Sequence, residues 1–438
     1  MPRTDIWGNP VSHASADAIR RLETAITLMN AYQADPIAEV DAVLAEHPDF
    51  VMAHAFRAGM LATSRDKAFE GELAKTVAAA EALSGKANDR ERLHIAAARA
   101  WLGGNFEQAT ETWGRAALLN PRDLPAIQFG QLGDFYLGYS QMLRDRVARV
   151  LPHWDRAVPN YGFVLGMYAF GLEECGDYAN AEAAGRDAWA VHAVAHVMEM
   201  QGRAADGVDW LESTSTAWAP GCLFGFHNWW HQALFCLDAG EPRRAFNLFD
   251  EKVSAGGFGQ ALELVDGSAL LWRMSLLGHD VGARWTDVAD KWSTRIEDGY
   301  YAFNDLHAMM AFIGADRRPE QAELIAVAER TAAGSGTNAM MTREVGLPAL
   351  KGFAAFGHGA YDEAIERLLP IRGKANRFGG SHAQRDVFSW TLAEAALRTG
   401  DRALAEGLVA ERLAQKPENR VNLAWDERVC HLSGRLAA

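Results

Sequence analysis

Gly104-Asn105-Phe106-Glu107-Gln108-Ala109 is the stretch that decides the fold, because its arrangement returns along the chain. Gly176-Asp177-Tyr178 is followed by Ala181, Gly240-Glu241-Pro242 by Ala245, Gly359-Ala360-Tyr361 by Ala364, and Gly400-Asp401 by Ala405. Gly202-Arg203, with Gly207 in the small position, fits the same scheme. A glycine ends one helix because it takes the left-handed cap conformation without a Cβ clash. An acidic or amide residue just after it caps the next helix. The small residue then lets that helix pack closely on its predecessor. Pro48, Pro121, Pro370 and Pro417 stand where second helices should stop. Ala, Leu, Glu and Arg recur at helical spacing throughout, and β-branched alternation never persists. The chain therefore reads as helix-turn-helix units stacked in series.

Successive marked glycines lie 72, 26, 38, 119 and 41 residues apart. Some units must then be degenerate or lack the glycine. The expected architecture is all-α, a tetratricopeptide-type α-solenoid: a right-handed superhelix of stacked helix pairs. It is expected to fill residues 1–438 as a single domain of roughly ten to twelve pairs. Loops are expected at 212–226 and 332–342, the second as a mobile flap.

Composition narrows the function. Hydrophobic residues at 49% and charged residues at 23% are globular values, which exclude extensive disorder. A net charge of -14 argues against nucleic acid or an anionic membrane as the main partner, since phosphate binding needs a basic face. Cys175, Cys222, Cys236 and Cys430 are far apart, with no Cys-x-x-Cys, so neither a disulfide framework nor a cysteine zinc site is expected. No basic-then-apolar leader and no long uncharged apolar window stand out, so the expected location is cytoplasmic.

The residues able to carry chemistry fall on helices that precede the turn glycines. His192 and His196 are four apart and share a helix face with Glu199. His227 and His231 repeat that spacing, with Asn228 and Trp230 beside them. Asn304, Asp305 and His307 lie on a later helix, expected over 303–313, and Gln384, Arg385 and Asp386 on the last of the set, expected over 381–398. In a tetratricopeptide stack such helices line the concave side. His192, His196, His227, His231, Asp305 and His307 are therefore the candidate catalytic groups, as general acids and bases. Glu199, Asn228, Trp230, Asn304, Gln384 and Arg385 are the candidate ligand contacts, with Arg385 suited to a carboxylate or phosphate. No metal ligand is assigned and the cofactor stays open. Ala193 and Asn228 follow the two first histidines, so neither pair is a His-Glu-x-x-His motif, and the four-residue spacing alone is weak. The plainer account is that these histidines hydrogen-bond across neighbouring repeats, that Asn304 and Asp305 cap a helix, and that Arg385 and Asp386 pair locally.

Four segments carry a resemblance. They are Val191-His192-Ala193-Val194-Ala195-His196-Val197-Met198-Glu199-Met200, His227-Asn228-Trp229-Trp230-His231-Gln232-Ala233-Leu234, Phe303-Asn304-Asp305-Leu306-His307, and Gly379-Gly380-Ser381-His382-Ala383-Gln384-Arg385-Asp386-Val387-Phe388. In this order the chain resembles the tetratricopeptide repeat protein 38 family. That resemblance implies a helical repeat fold and brings no activity, cofactor or substrate with it.

The expected function is binding of a small molecule or short peptide in an enclosed, histidine-rich concave pocket, which histidine and acid could make catalytic. The alternative is an adaptor that holds a protein partner along an open groove. Against a standard peptide clamp, the repeated polar residue is histidine rather than Lys, Arg and Asn. No phosphate-binding loop, dinucleotide fingerprint or nucleophile elbow occurs.

Overall fold

Helix follows helix through a computed structural model that describes residues 3–33 and 35–432. Among the described residues, β structure is confined to the antiparallel pair Arg3–Thr4 and Pro10–Val11 and a single bridge from Gln33 to Cys222. No described helix is long and apolar enough to cross a membrane. The chain forms two compact units, Met1–Val194 with Ala217–Phe224, and Ala195–Thr216 with Gly225–Ala438.

The turns follow the glycine marks. Gly104, Gly176, Gly202, Gly240, Gly359 and Gly400 all lie at φ between +71° and +78°. The small residues beyond them are fully buried: Ala109, Ala181, Ala245, Ala364 and Ala405 are each 0% exposed. Asn105 and Asp401 accept from the backbone N–H groups of Gln108 and Leu404, both at 3.0 Å, as capping requires. Asp177 instead accepts from the Asn180 side chain. Helices stop at Glu46, Leu119, Leu368 and Gln415, each two residues before a marked proline.

The wide intervals contain further turns. Gly138 ends the Leu124–Leu137 helix at φ +69°, and Leu143 replaces the small residue. Gly278 takes φ +82° after the Ala261–Leu276 helix, and a second glycine, Gly282, delays the next helix. Asp316 takes the left-handed position itself, at φ +53°, after Ala302–Gly314. Aspartate tolerates this conformation better than most residues, so that unit needs no glycine.

Three local expectations need correction. The loop expected at 212–226 is helical to Trp218, since Ala204–Trp218 carries on through Ser213, Thr214 and Ser215. Their hydroxyls bond back to carbonyls of the preceding turn, which satisfies them inside a helix. The flap expected at 332–342 is a short turn, with helix resuming at Thr337–Met341 and a π-helical turn at Thr342–Gly346. Asn338 ties it down, accepting from Ala302 N at 2.9 Å and donating to Gly299 O at 2.8 Å. The helix expected over 381–398 is two, His382–Arg385 and Val387–Thr399, broken at Asp386. There Asp386 takes both guanidinium arms of Arg412, at 2.6 and 3.1 Å.

In the first unit, a buried ionic network holds the N-terminal segment. Arg90 pairs with both oxygens of Asp123, at 2.7 and 3.1 Å, and with Asp5 at 3.0 Å. His94 reaches Asp123 at 2.9 Å. Asp123 also caps the Leu124–Leu137 helix. In the second unit, the Ala261–Leu276 helix is almost wholly buried and packs against Gly225–Asp238, Ala302–Gly314 and Val387–Thr399. This central helix positions the site.

Candidate functional site

Helical spacing alone brings His196 and Glu199 to one face of the Val191–Met200 helix, and His227 and His231 to one face of the Gly225–Asp238 helix. Packing in the second unit then joins the two faces. The His196 and His231 rings meet edge-on with centroids 4.5 Å apart, and those of His227 and His231 at 4.8 Å. One nitrogen of each of His196, His227 and His231 lies within 4.8 Å of the others. All three rings are buried, His231 completely.

Two of the rings are held by acids. His231 Nδ1 lies 2.7 Å from Glu199 Oε2, and His227 Nδ1 lies 2.6 Å from Asp266 Oδ2. An ionised carboxylate only accepts, so against the ionised acid an imidazole donates from Nδ1 and its remaining lone pair is on Nε2. Burial raises the Glu199 carboxyl to about 7, against the lowering pull of Lys416 and His196. Asp266 stands in the middle of the buried central helix, amid Leu264, Val265, Ala269 and Leu270.

Around this centre lies an aromatic and cationic wall. Trp230 stacks on His227 with centroids 5.1 Å apart. Arg273, two turns beyond Asp266, lies over Trp230 at 5.7 Å and Trp390 at 5.9 Å. Its guanidinium donates to Ala383 O at 2.7 Å and to Ala269 O at 3.1 Å. Burial lowers its pKa. Asn228 Oδ1 and Trp230 Nε1 are buried with no hydrogen-bond partner among the described residues. Such atoms cost about 1–3 kcal/mol each if nothing meets them, and a bound molecule or water is the usual remedy.

The other candidates have these surroundings. His192 belongs to the first unit, where its ring packs on Phe170 at 5.8 Å and Phe224 at 5.1 Å. Neither Asp305 nor His307 joins the imidazole group. His307 donates from Nδ1 to Phe303 O at 2.8 Å and packs on the Phe303 ring. Asp305 is buried, and desolvation with the nearby Asp298 charge pushes it up to about 7. Asn304 is half-buried beside it. Gln384 forms a reciprocal capping box with Ser381. Arg385 donates to Gly380 O. Trp229 takes Lys252 over its ring at 5.6 Å. Cys236 is buried and its thiol is pushed up to about 11, which suits packing and not nucleophilic attack.

Asp266 and Arg273 were missing from the sequence expectations. Their signal is a lone charge inside an apolar helical run, as in Leu264-Val265-Asp266-Gly267-Ser268-Ala269-Leu270-Leu271. A buried acid needs a partner, and here the partner is His227.

No family model matches the sequence.

Proposed function

We propose that this protein binds a small molecule or short peptide at the histidine–carboxylate centre of its second unit, and that the centre is equipped for acid–base chemistry. The observation that carries this reading is the pair of buried contacts His231–Glu199 and His227–Asp266, at 2.7 and 2.6 Å, with the two rings against one another. A histidine oriented by a carboxylate is a general base with its lone pair fixed in direction. Stacking contacts between repeats are usually made by alanine, leucine and tyrosine. Two oriented imidazoles and a third beside them are a costly way to hold helices together. The surrounding fold is proposed to be a tetratricopeptide-type solenoid related to the tetratricopeptide repeat protein 38 family. Support comes from the recurring turn residues with buried alanines after them. A cytoplasmic setting fits the four free thiols.

The test is thermal-shift screening of the full chain against dipeptides, small mono- and dicarboxylates and phosphate esters, beside His196→Ala and His231→Ala. At least one compound should raise the wild-type midpoint and leave both variants unmoved while they stay folded by circular dichroism. If both variants unfold, the histidines are structural and the proposal fails. A stoichiometric protein partner whose capture ignores these variants would point to the adaptor role instead.

A further inference from the structure

The geometry points to a divalent transition-metal ion of the zinc class, held by the imidazoles of His196, His227 and His231. This deepens the proposal above and rests on its claim that the cluster is the functional centre.

Donor convergence is the first argument. Three imidazoles from two helices place nitrogens within 4.8 Å of one another. Tetrahedral zinc with Zn–N bonds of about 2.0–2.1 Å needs nitrogens roughly 3.4 Å apart. Inward ring movements of up to about 0.8 Å each would close that difference. Orientation is the second argument. Metal-bound imidazoles nearly always give their other N–H to a carboxylate or carbonyl, which fixes the tautomer and strengthens the donor nitrogen. His227 and His231 have that arrangement already, through Asp266 and Glu199.

Charge is the third. Two buried carboxylates lie one hydrogen bond behind the imidazoles, enough to offset a divalent ion in a site with little water. Donor type selects the metal. Imidazole nitrogen suits zinc, cobalt, nickel, copper or iron, whereas calcium and magnesium require oxygen. Three imidazoles also leave zinc a position for water or for a ligand group. The donors come from two helices, and of the two supporting carboxylates Glu199 shares the helix of His196 while Asp266, the part not legible in the sequence, comes from a third, Ala261–Leu276.

The test is metal loading of the full chain after dialysis against a chelator. Zinc is added, excess removed on a desalting column, and content read by elemental mass spectrometry. Cobalt(II) loading, read by its visible absorption, reports the geometry. Wild type should hold about one zinc per chain, and the double variant His196→Ala, His231→Ala should hold none. Glu199→Gln and Asp266→Asn touch only the supporting carboxylates and should weaken zinc binding about 10–100-fold. They keep the test sound if the alanine variants fold poorly. His307→Ala should load like wild type. Wild-type zinc content no higher than that of the double variant would overturn the metal. If a compound from the screen still stabilised wild type alone, the ligand-binding proposal would survive that loss. Zinc bound with no compound bound would support the metal and remove the ligand-binding proposal.

Discussion

Asp305 is a carboxyl group that the fold keeps from water, and it responds to pH in a definite direction. Desolvation, with Asp298 nearby, holds its folded-state value near 7, above the ordinary aspartate range. Below about pH 4 both folded and unfolded chains carry the proton, and no stability is lost. As pH rises towards 7 the unfolded chain ionises while the folded chain keeps the proton, so stability falls across that window. Asp305→Asn, which mimics the protonated form, should flatten this slope and stabilise the protein at pH 8 by on the order of a few kcal/mol. Urea titrations of both proteins at pH 5 and pH 8 measure it. Equal midpoint changes for the two at both pH values would show that Asp305 is ionised in the fold. At this scale the sequence was only partly legible. His196, Glu199, His227 and His231 stand out by type and spacing. The pairing of Glu199 with His231, not with its own-helix neighbour His196, is set by packing. Gln384 and Arg385 look like ligand groups in sequence, yet they serve the turn at Ser381 and Gly380, a local use that residue type does not reveal.

Between residues and whole molecule stand the helix contacts, and Gly207 marks a close one in the second unit. It lies inside the Ala204–Trp218 helix, where alanine would ordinarily stabilise by about 0.5–1 kcal/mol. An added Cβ would lie 2.4 Å from the buried Phe235 ring. Overpacking of that kind costs roughly 1–3 kcal/mol. Gly207→Ala should therefore lower the urea midpoint; a raised midpoint would mean that the ring swings aside freely. This contact was readable in advance, since Gly207 holds the small position of its turn. The extra turns at Gly138, Gly278 and Asp316 were harder. Leu143 stands in place of alanine after Gly138, the left-handed Asp316 is followed by Gln321 in the small position, and after Gly278 a second glycine delays the helix and leaves Ala283 exposed at its N-cap.

At the scale of the molecule, helical periodicity and turn chemistry made the all-helical character legible, because both are local. The division into two compact units was not, since no change of composition accompanies it between Val194 and Gly225. Nor was the central role of Ala261–Leu276, which depends on contacts with helices distant in sequence. The turns themselves differ in kind from the crowded Gly207. At Gly104, Gly176, Gly359 and Gly400 an added Cβ would meet nothing within 4 Å, although φ is positive at each. These four positions need a handedness and have room to spare. Their natural occupant in a mirror-image alphabet would be alanine. Protein made by chemical ligation with D-alanine at these sites should fold identically and lose less chain entropy in doing so. A gain of up to about 1 kcal/mol per site is the expected size. L-alanine at the same positions should destabilise, so the two enantiomers of one side chain would move the same protein in opposite directions.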